Sequence, residues 1–306
     1  SASQFTGGVF REVVATLGRS YDLDTAWPVS GPDTERHTRA AVDEGIDAVF
    51  AMGGDGVAHH VANGLAGSAT ALGLIPVGTT NVLSRILGIP QKPTAAAEAS
   101  VGYDALATRV ASISGTAVAG PVNRIATFSV GVGFDAAVVE AAERRPYAKV
   151  RFGGVYYATT AIGRLTADWR SRLPNLRVGV DGTTFDAVAT LTQVHHPYTY
   201  FGRVPLRLTQ HAPDGLATLA VADLGIVRGA SLLTRAVAGR SQDRAGTRVW
   251  ESFAEMTVEA DPPAPFQADG ELLGDAEAIT IRPSEDALRV LRPAERPEPD
   301  ERHGLN

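Results

Sequence analysis

Apolar positions recur along the first hundred residues with two different spacings, which predicts helices and buried strands in alternation. Four segments have the three-to-four-residue spacing of amphipathic helices: residues 9–19, 33–44, 57–66 and 82–88. Two short apolar runs of the kind found in buried strands precede the last two helices: residues 46–52 and 71–77. Asp33 or Thr34 is placed to cap the second helix. Repetition of strand, turn and helix is typical of a parallel α/β sheet.

Beyond about residue 105, apolar residues recur at every second position, which predicts short strands. These segments are residues 176–181, 185–194, 249–259, 278–282 and 287–291. Three helices are predicted among them: residues 135–145, 155–169 and 228–240. The turn signals between the strands favour an antiparallel sheet or a sandwich. The tail, residues 293–306, is rich in proline and charged residues and is expected to be disordered.

Composition narrows the classes of protein that the pattern allows. The chain has 306 residues, enough for two domain cores, and 44% hydrophobic with 20% charged residues indicates a folded protein. A net charge of −6 argues against a nucleic-acid-binding protein. The absence of cysteine excludes disulfides, thiolate nucleophiles and cysteine-ligated zinc. Because no run of about 18 apolar residues occurs, we expect no transmembrane segment, and residues 1–8 lack the pattern of a signal peptide.

Two polar turns follow the two predicted strands of the first half. Residues 53–56 (GGDG) end the first strand, where glycines let backbone N–H groups approach a phosphate and the next helix adds its positive end. Asp55 suits a bound Mg²⁺ there, because a carboxylate alone would repel phosphate. Residues 78–81 (GTTN) end the second strand, where hydroxyl and amide groups suit phosphate or ribose. The alternatives are a tight turn without a ligand and, for the second motif, a helix cap.

A third motif places two carboxylates on either side of a glycine, at residues 269–271 (DGE). One carboxylate of such a pair could accept a proton from an attacking hydroxyl while the other holds a metal or tunes the pKa of the first. The spacing alone is a weak signal, and an exposed acidic turn is the simpler interpretation.

Several motifs in this order resemble the catalytic domain of diacylglycerol kinases. They are GGDG at 53–56 with VANGL at 61–65, PVGTTNVLSRILGIP at 76–90, VGFD at 132–135, PYTYFG at 197–202, DGL at 214–216 and DGE at 269–271. The chain is similar to the bacterial lipid kinases of that family, relatives of sphingosine and ceramide kinases, from about residue 10 to about residue 293. The GTTN segment with its trailing SRILGIP is the most specific of these motifs.

The resemblance implies a two-domain fold. An N-terminal Rossmann-like α/β domain of the NAD-kinase type would bind the nucleotide, a C-terminal β-sandwich domain would take the lipid, and the active site would lie in the cleft between them. The first domain would comprise residues 1–106 with a returning segment at about 286–306, and the second residues 107–285.

The resemblance also implies roles for individual residues. ATP would be bound by Gly53, Gly54, Asp55, Gly56, Val57, Ala58, His59, Gly78, Thr79, Thr80 and Asn81. Glu271 would be the catalytic proton acceptor with Asp269 beside it, and Asp55 would engage the catalytic Mg²⁺. A second, structural Mg²⁺ would be held by His211, Asp214 and the backbone carbonyl of Leu216.

A kinase of this family would transfer the γ-phosphate of ATP to a lipid hydroxyl, and conversion of diacylglycerol to phosphatidic acid in phospholipid biosynthesis is the first candidate reaction. The protein would be cytoplasmic and associate peripherally with the inner face of the membrane, and a homodimer is an open possibility. One alternative is an NAD kinase, which shares the GGDG turn and a related two-domain plan. The other is a non-catalytic regulator that binds nucleotide or lipid. The GTTN and DGE segments favour the lipid kinase.

The sequence departs from the family at several positions. Val57 and His60 stand where the family has threonine and glutamate, which favours the regulator. The family's opening strand and Asn-Pro-x-x-Gly loop do not occur in the sequence, and the usual asparagine before PYTYFG is His195 or His196. The histidine pairs His59-His60 and His195-His196 do not predict a transition-metal site, because adjacent side chains on a helix or strand point in different directions.

Residues 228–240 combine apolar and basic side chains on one predicted helix. Its members include Leu232, Leu233 and Val237 with Arg228, Arg235 and Arg240. Packing of the apolar side on the β-rich domain is the favoured interpretation, and binding of the helix to an anionic bilayer is the alternative.

Overall fold

The chain forms two compact units in a computed structural model that describes residues 4–143, 173–202 and 204–294. The first unit contains two segments of the chain, the residues up to Thr108 and those from Leu288 onward. The second unit contains Arg109–Ala287. The helix predicted at 155–169 and the tail from residue 295 lie outside the described residues. No described helix is long and apolar enough to cross a membrane.

Seven helices and sixteen strands make up the described part of the chain. The helices are α1 (Gly7–Leu17), α2 (Gly31–Asp43), α3 (Asp55–Leu65), α4 (Val82–Ile86), α5 (Pro93–Ser100), α6 (Phe134–Glu143) and α7 (Ile226–Ala238). The first eight strands are β1 (Ala48–Gly53), β2 (Ala71–Pro76), β3 (Asp104–Ala107), β4 (Val110–Ala117), β5 (Gly120–Ala126), β6 (Ser129–Gly133), β7 (Leu176–Val180) and β8 (Thr183–Ala187). The others are β9 (Ala189–Gln193), β10 (Thr199–Phe201), β11 (Val204–Leu206), β12 (Ala217–Val221), β13 (Thr247–Trp250), β14 (Met256–Ala268), β15 (Glu271–Ser284) and β16 (Arg289–Arg292).

The first unit is an α/β domain built on a four-stranded sheet in the order β1-β2-β16-β3. The pairs β1–β2 and β2–β16 are parallel, and β16 pairs with β3 antiparallel. Every residue of β2 is buried, as expected for a central parallel strand covered on both faces. The predicted parallel α/β sheet is therefore confirmed, and the last described strand of the chain completes it.

The start of α2 differs from the prediction. The helix begins at Gly31, and the hydroxyl of Ser30 caps it by accepting from the amide of Asp33 at 3.3 Å. The carboxylate of Asp33 in turn accepts from the amide of Val29 at 2.8 Å, which holds the pKa of Asp33 below its ordinary value. Asp33 and Thr34 are therefore inside the helix, because the bonds that Asp33 makes with Ser30 and Val29 start it earlier.

The second unit is built mainly from antiparallel strands. Eight strands of its ten-stranded sheet follow the order β13-β12-β9-β6-β14-β15-β4-β5. Strand β7 also pairs with β14, and β8 pairs with β7. Strands β10 and β11 form a separate hairpin. The long strand β14 pairs with β7 near Met256 and with β6 near Phe266, so it belongs to two parts of the sheet. The register shifts between Glu259 and Ala264, where two prolines lack the N–H that a ladder needs.

One hydrophobic cluster joins both parts of this sheet. Its buried members include Ile113, Val130, Val132, Val178, Leu216, Met256, Phe266 and Ile281. Side chains from β4, β6, β7, β12, β14 and β15 thus share one core, which is the arrangement of a β-sandwich.

Two segments that were each predicted as one strand form two strands in the structure. Residues 185–194 are divided at Val188, which lies between β8 and β9. Its amide donates to the carbonyl of Val221 at 2.8 Å. Residues 249–259 belong to β13 and β14, separated by residues 251–255. Helix α5 and strands β3–β6 and β10–β12 had no predicted counterpart, because their apolar spacing is too short or too irregular to stand out.

Candidate functional site

The GGDG turn joins β1 to α3 in the first unit. β1 ends at Gly53, Gly54 is the N-cap residue, and the first intrahelical bond runs from the amide of Ala58 to the carbonyl of Gly54 at 3.1 Å. The amides of Asp55, Gly56 and Val57 precede that bond and, because Gly54 has no side chain, no cap covers them. This helix start therefore presents N–H donors in the orientation that binds an anion.

The GGDG and GTTN turns touch each other backbone to backbone. They follow adjacent parallel strands, in which Gly53 is paired with Pro76. A Cβ atom added to Gly78 would lie 2.7 Å from the Cα atom of Gly54, and one added to Gly53 would lie 2.4 Å from the Cβ atom of Val57. A side chain at Gly78 would push the two turns apart, and one at Gly53 would collide with Val57 at the start of α3, which explains glycine at both positions.

Asn81 holds the GTTN turn in a left-handed conformation. It has a φ of 50° at the N-cap position of α4, and its side-chain amide donates to the carbonyl of Gly78 at 3.0 Å. It makes no side-chain cap bond, so the cap expected at Asn81 does not form. Its buried Oδ1 atom finds no hydrogen-bond partner among the described residues. An unsatisfied buried acceptor is costly and suits a ligand that brings a donor.

A small open pocket lies at the carboxyl ends of β1 and β2. Its lining includes Gly53, Gly54, Asp55, Ala58, Asn81 and Ser84. Asp55 accepts from the amide of Leu83 at 3.3 Å through Oδ1, so its carboxylate links the starts of α3 and α4. Thr79 is exposed and Thr80 is partly exposed on the same turn. These two turns bring most of the predicted ATP-binding residues into one place.

The carboxylate of Asp55 fits the magnesium ion expected with ATP. Mg²⁺ takes oxygen ligands and is commonly held by one or two carboxylates together with the phosphates of the nucleotide. Asp55 lies beside the donors that would hold those phosphates. No group of three or more histidine, aspartate or glutamate side chains is placed to hold a metal by itself among the described residues.

In the second unit, the DGE motif is a two-residue β-hairpin. Ala268 at the end of β14 pairs with Glu271 at the start of β15, and Asp269 and Gly270 between them have φ values of 55° and 81°. Positive φ at both central positions is the type I′ turn that Asp-Gly favours. Glu271 is partly exposed at the first position of β15.

Asp269 is a buried anchor of this hairpin. Its Oδ1 accepts from the amides of Thr127, Phe128 and Ser129 at 3.0, 2.8 and 3.1 Å. Its Oδ2 accepts from the amide and hydroxyl of Thr127 at 2.8 and 3.0 Å, and only 2% of the residue is exposed. Both oxygens are committed, so the predicted catalytic or metal-binding role of Asp269 is corrected to a positioning role.

Asp135 is a site residue that the sequence analysis did not select. Its Oδ2 accepts from the amide of Gln267 at 2.7 Å and from the hydroxyl of Tyr198 at 3.2 Å. Gln267 also accepts from the amide of Gly270 at 2.8 Å, so it connects Asp135 to the DGE hairpin. Removal from water raises the pKa of Asp135 and raises that of Tyr198 well above its ordinary value. The VGFD motif was the available signal.

Comparison with known proteins shows what the chain is similar to. The diacylglycerol kinase catalytic domain family matches residues 3–113, which contain the GGDG and GTTN turns. A diacylglycerol kinase of Mycobacterium tuberculosis is 31% identical over 195 residues, which cover 62% of this chain and 59% of that protein. These matches support the diacylglycerol kinase catalytic-domain family for the N-terminal part of the chain, residues 3–113. It spans little more than half the length of the first curated relatives that it matches.

Solved structures share the fold of the chain. A diacylglycerol kinase from Bacillus anthracis superposes with a TM-score of 0.69 at 17% identity, covering 96% of this chain and 94% of that one. An NAD kinase from Archaeoglobus fulgidus superposes with a TM-score of 0.52 at 13% identity, covering 96% and 92%. At these identities the likeness concerns the fold alone.

The loop before β12 contains the three residues that the family resemblance predicts as ligands of a structural Mg²⁺. His211 and Asp214 are exposed, whereas Leu216 is fully buried. The guanidinium of Arg109 donates to the carbonyls of Pro213 and Gly215 at 3.1 Å each. These two carbonyls are not the predicted ligands, so the Mg²⁺ site at His211, Asp214 and the backbone carbonyl of Leu216 stays a prediction.

Arg109 and its loop are also fixed from other sides. The carboxylate of Glu285 accepts from Nε of Arg109 at 2.5 Å. The carbonyl of His211 accepts from the hydroxyl of Thr209 at 2.7 Å. The loop is thus held by protein donors, and no step of a reaction is routed through a metal there.

The family departures at positions 57 and 60 have structural explanations. Val57 is exposed on the first turn of α3. His60 packs its ring on Gly31, and its Nδ1 lies 3.0 Å from Oε1 of Glu35. His59 is 1% exposed and its Nε2 lies 3.3 Å from the amide nitrogen of Asn63, so its side chain faces the interior rather than the pocket.

Proposed function

We propose that the chain is an ATP-dependent lipid kinase that transfers the γ-phosphate of ATP to a lipid hydroxyl, with diacylglycerol as acceptor and phosphatidic acid as product. The observation that carries the proposal is the backbone contact between the GGDG and GTTN turns. It gathers uncapped amides, the Asp55 carboxylate and the unsatisfied Oδ1 of Asn81 at one pocket. Donors for phosphate beside a carboxylate for Mg²⁺ are what phosphoryl transfer requires.

In the first unit, the proposed task is to bind and orient ATP. The amides of Asp55, Gly56 and Val57 donate to phosphate oxygens, and the positive end of α3 favours their charge. Asp55 would hold a Mg²⁺ ion, which would supply positive charge for the phosphates of the nucleotide. Asn81 Oδ1 accepts from a nucleotide hydroxyl, and Thr79 and Thr80 lie on the same turn for further contacts.

In the second unit, the proposed task is to receive the lipid and accept its proton. Glu271 takes the proton from the attacking hydroxyl, as its partly exposed position at the start of β15 allows. Asp269 holds the hairpin in register through the amides of residues 127–129. Gln267 restrains Gly270, the residue just before Glu271. The base is thereby kept in one orientation, which lowers the entropy cost of reaching the transition state.

The proposed acceptor also places the reaction at a membrane surface. No described helix crosses a bilayer, so the lipid would be met from the aqueous side, at the inner face of the membrane. This is the peripheral, cytoplasmic location that the family resemblance implies.

The proposal is tested by transfer of label from γ-labelled ATP to lipids in mixed micelles. The panel contains diacylglycerol, a sphingoid base, phosphatidylglycerol and a polyprenol, with NAD and water as control acceptors. We expect label on diacylglycerol. Label on NAD alone would establish an NAD kinase instead, and ATP binding without transfer to any acceptor would favour a regulator.

Two variants test the assigned residues. Asp55→Asn and Glu271→Gln should each lower turnover by about a hundredfold or more, because one removes the charge that holds Mg²⁺ and the other the proton acceptor. Glu277→Gln is the matched control, since it makes the same change at an exposed position of β15. Circular dichroism should show all three variants folded. Near-normal turnover in either test variant would remove that residue from the mechanism.

A further inference from the structure

Helix α7 packs on the second unit with one face only. Leu232 contacts a buried cluster whose members are Ala137, Val188, Ala189, Tyr198, Leu208, Leu219, Val221 and Leu224. Ala236 is 7% exposed, and its carbonyl accepts from the amide of Arg207 at 2.9 Å. These contacts fix the helix and determine which side chains face outward.

The opposite face of α7 is apolar and exposed. Its members, called here the outer face, are Val227, Ala230, Leu233, Thr234, Val237 and Ala238. Their spacing of three and four residues puts them in one stripe along the helix. Val227 is 85% exposed, Leu233 46% and Val237 43%. Exposed large apolar side chains are ordinary when single, but a continuous stripe of them is a sign of a binding surface.

The polar group within the outer face is already satisfied. The hydroxyl of Thr234 lies 3.0 Å from the carbonyls of both Ala230 and Ser231, and donates within the helix. Thr234 can therefore present its methyl group outward. A partner covering the outer face would leave no side-chain donor unpaired, so desolvation costs little there.

The chain segment that contains the outer face is rich in arginine. Arg228 and Arg235 donate to the backbone carbonyls of Ala245 and Ser241. The segment 223–248 contains Arg228, Arg235, Arg240, Arg244 and Arg248 against Asp223 and Asp243, a net charge of +3 in a chain of net charge −6. Arg207 lies against the end of the helix, 3.4 Å from the position of a Cβ on Gly239. Arg228 pairs with Asp223 at 3.0 Å, while Arg240, Arg244 and Arg248 are exposed. An apolar stripe in a basic segment of the chain complements an anionic lipid surface.

We propose that the outer face of α7 docks on an anionic bilayer, with Val227, Leu233 and Val237 at the acyl boundary and the arginines on lipid phosphates. The inference rests on the proposed function in that a lipid kinase must reach its acceptor at such a surface. Docking itself requires neither ATP nor turnover, so it is measured separately from catalysis.

The size of the outer face favours a bilayer over a second copy of the chain. A helix of 13 residues is about 20 Å long and about 10 Å wide, so one face offers roughly 200 Å². A stable protein interface buries about 800 Å² on each partner. A bilayer needs no matching surface and adds attraction from the basic segment, which a like-charged second copy would oppose.

The test is co-sedimentation of the whole chain with vesicles, without ATP. Mixed phosphatidylcholine–phosphatidylglycerol vesicles are compared with pure phosphatidylcholine. The double variant Leu233→Asp/Val237→Asp should weaken binding to the mixed vesicles by about tenfold or more. Arg240→Glu should weaken it only on the mixed vesicles. The matched control is Val118→Asp, which places the same charge at a 64% exposed valine outside α7.

Several outcomes would overturn the docking proposal. They are equal binding to both kinds of vesicle, unchanged binding of the double variant, and a concentration-dependent dimer in ultracentrifugation that the double variant abolishes. On a short-chain diacylglycerol dissolved as monomers, the double variant should retain the turnover of the unchanged chain. Vesicle binding through α7 without transfer to any lipid would keep this inference and remove the kinase proposal, whereas transfer without α7-dependent binding would do the reverse.

Discussion

Asp269 and Glu271 are two residues apart in one hairpin, yet their carboxylates have different surroundings. Asp269 is buried and meets the amides of three consecutive residues, whereas Glu271 is partly exposed at the head of β15. The left-handed conformation of Asp269 directs its side chain inward, which is a property of the type I′ turn. Asp269 thus anchors the hairpin, and Glu271 is the candidate base.

Asp269→Ala should therefore destabilise the second unit. Three backbone donors would lose their acceptor in a buried place, which costs roughly 3 kcal/mol of unfolding free energy. Urea unfolding followed by circular dichroism measures this loss. Asp275→Ala, at an exposed position of β15, serves as control and should change the unfolding free energy by less than about 0.5 kcal/mol. A stable but inactive Asp269→Ala variant would restore the catalytic role.

The raised pKa of Asp135 predicts how the stability of the folded chain depends on pH. Its folded-state pKa is raised above the ordinary value of 3.8, so the folded chain holds the proton more tightly than the unfolded chain. The resulting stabilisation is present below pH 3.8 and is lost as the pH rises through the folded-state pKa. Asp135→Asn keeps an acceptor for Gln267 and Tyr198 but does not titrate.

The variant should accordingly gain stability relative to the unchanged chain as the pH rises above 3.8. Unfolding free energies measured in denaturant at a series of pH values give this difference directly. Asp275→Asn, which is exposed, should show no such trend. A difference that stays constant with pH would mean that burial does not raise the pKa of Asp135.

The sequence could indicate Glu271, Asp55 and the glycines of the two turns because their signals are local. The partners of Asp269 and Asp135 were not predictable in this way. Asp269 accepts from Thr127, which is 142 residues away in the sequence, and Asp135 accepts from Gln267, which is 132 residues away. Which oxygen accepts which amide depends on strand order, and apolar periodicity carries no information on strand order.

At the scale of elements, the loop before β12 is predicted to hold a cation and also receives the side chain of Arg109. Arg109 joins the start of β4 to this loop and to Glu285 at the end of the second unit. The contacts span 104 to 176 positions. The DGL motif alone could not reveal them, because an arginine and a metal ion both suit a turn rich in carbonyl oxygens.

Arg109→Met should lower the stability of the second unit by about 2 kcal/mol, since two carbonyls lose their donor. Asp214→Asn should have no effect without Mg²⁺. Thermal unfolding of the nucleotide-free protein in Mg²⁺ and in chelator measures both. If Mg²⁺ raised the melting temperature of the unchanged chain and Asp214→Asn removed that gain, the loop would hold the predicted metal.

Most helices and strands of the first unit were predictable because each has one dominant period. Residues 71–77 are uniformly apolar and form the buried strand β2, and the turns that follow β1 and β2 lie where a parallel sheet places a ligand. Helix α7 was foreseen as amphipathic, and the structure adds that it has a second apolar face that does not pack on the core. Periodicity alone could not separate these two faces.

At the scale of the whole molecule, the two kinds of domain followed from the change of period near residue 105, and the α/β plus β-sandwich fold is confirmed. The order of strands did not follow from the pattern. β16 looks like one more short strand of the β-rich half, yet it pairs with β2 and β3 in the first unit. The place of β16 is explained by its parallel partner β2, which lies more than two hundred residues earlier in the sequence.

The position of β16 has a consequence for biosynthesis. It lies between β2 and β3, so the first unit has a gap in its sheet until the chain has been made as far as Arg292. The second unit has all its strands between Arg109 and Ala287 and can close its core earlier. On the ribosome, the sheet of the first unit can therefore be completed only after the strands of the second unit have been made.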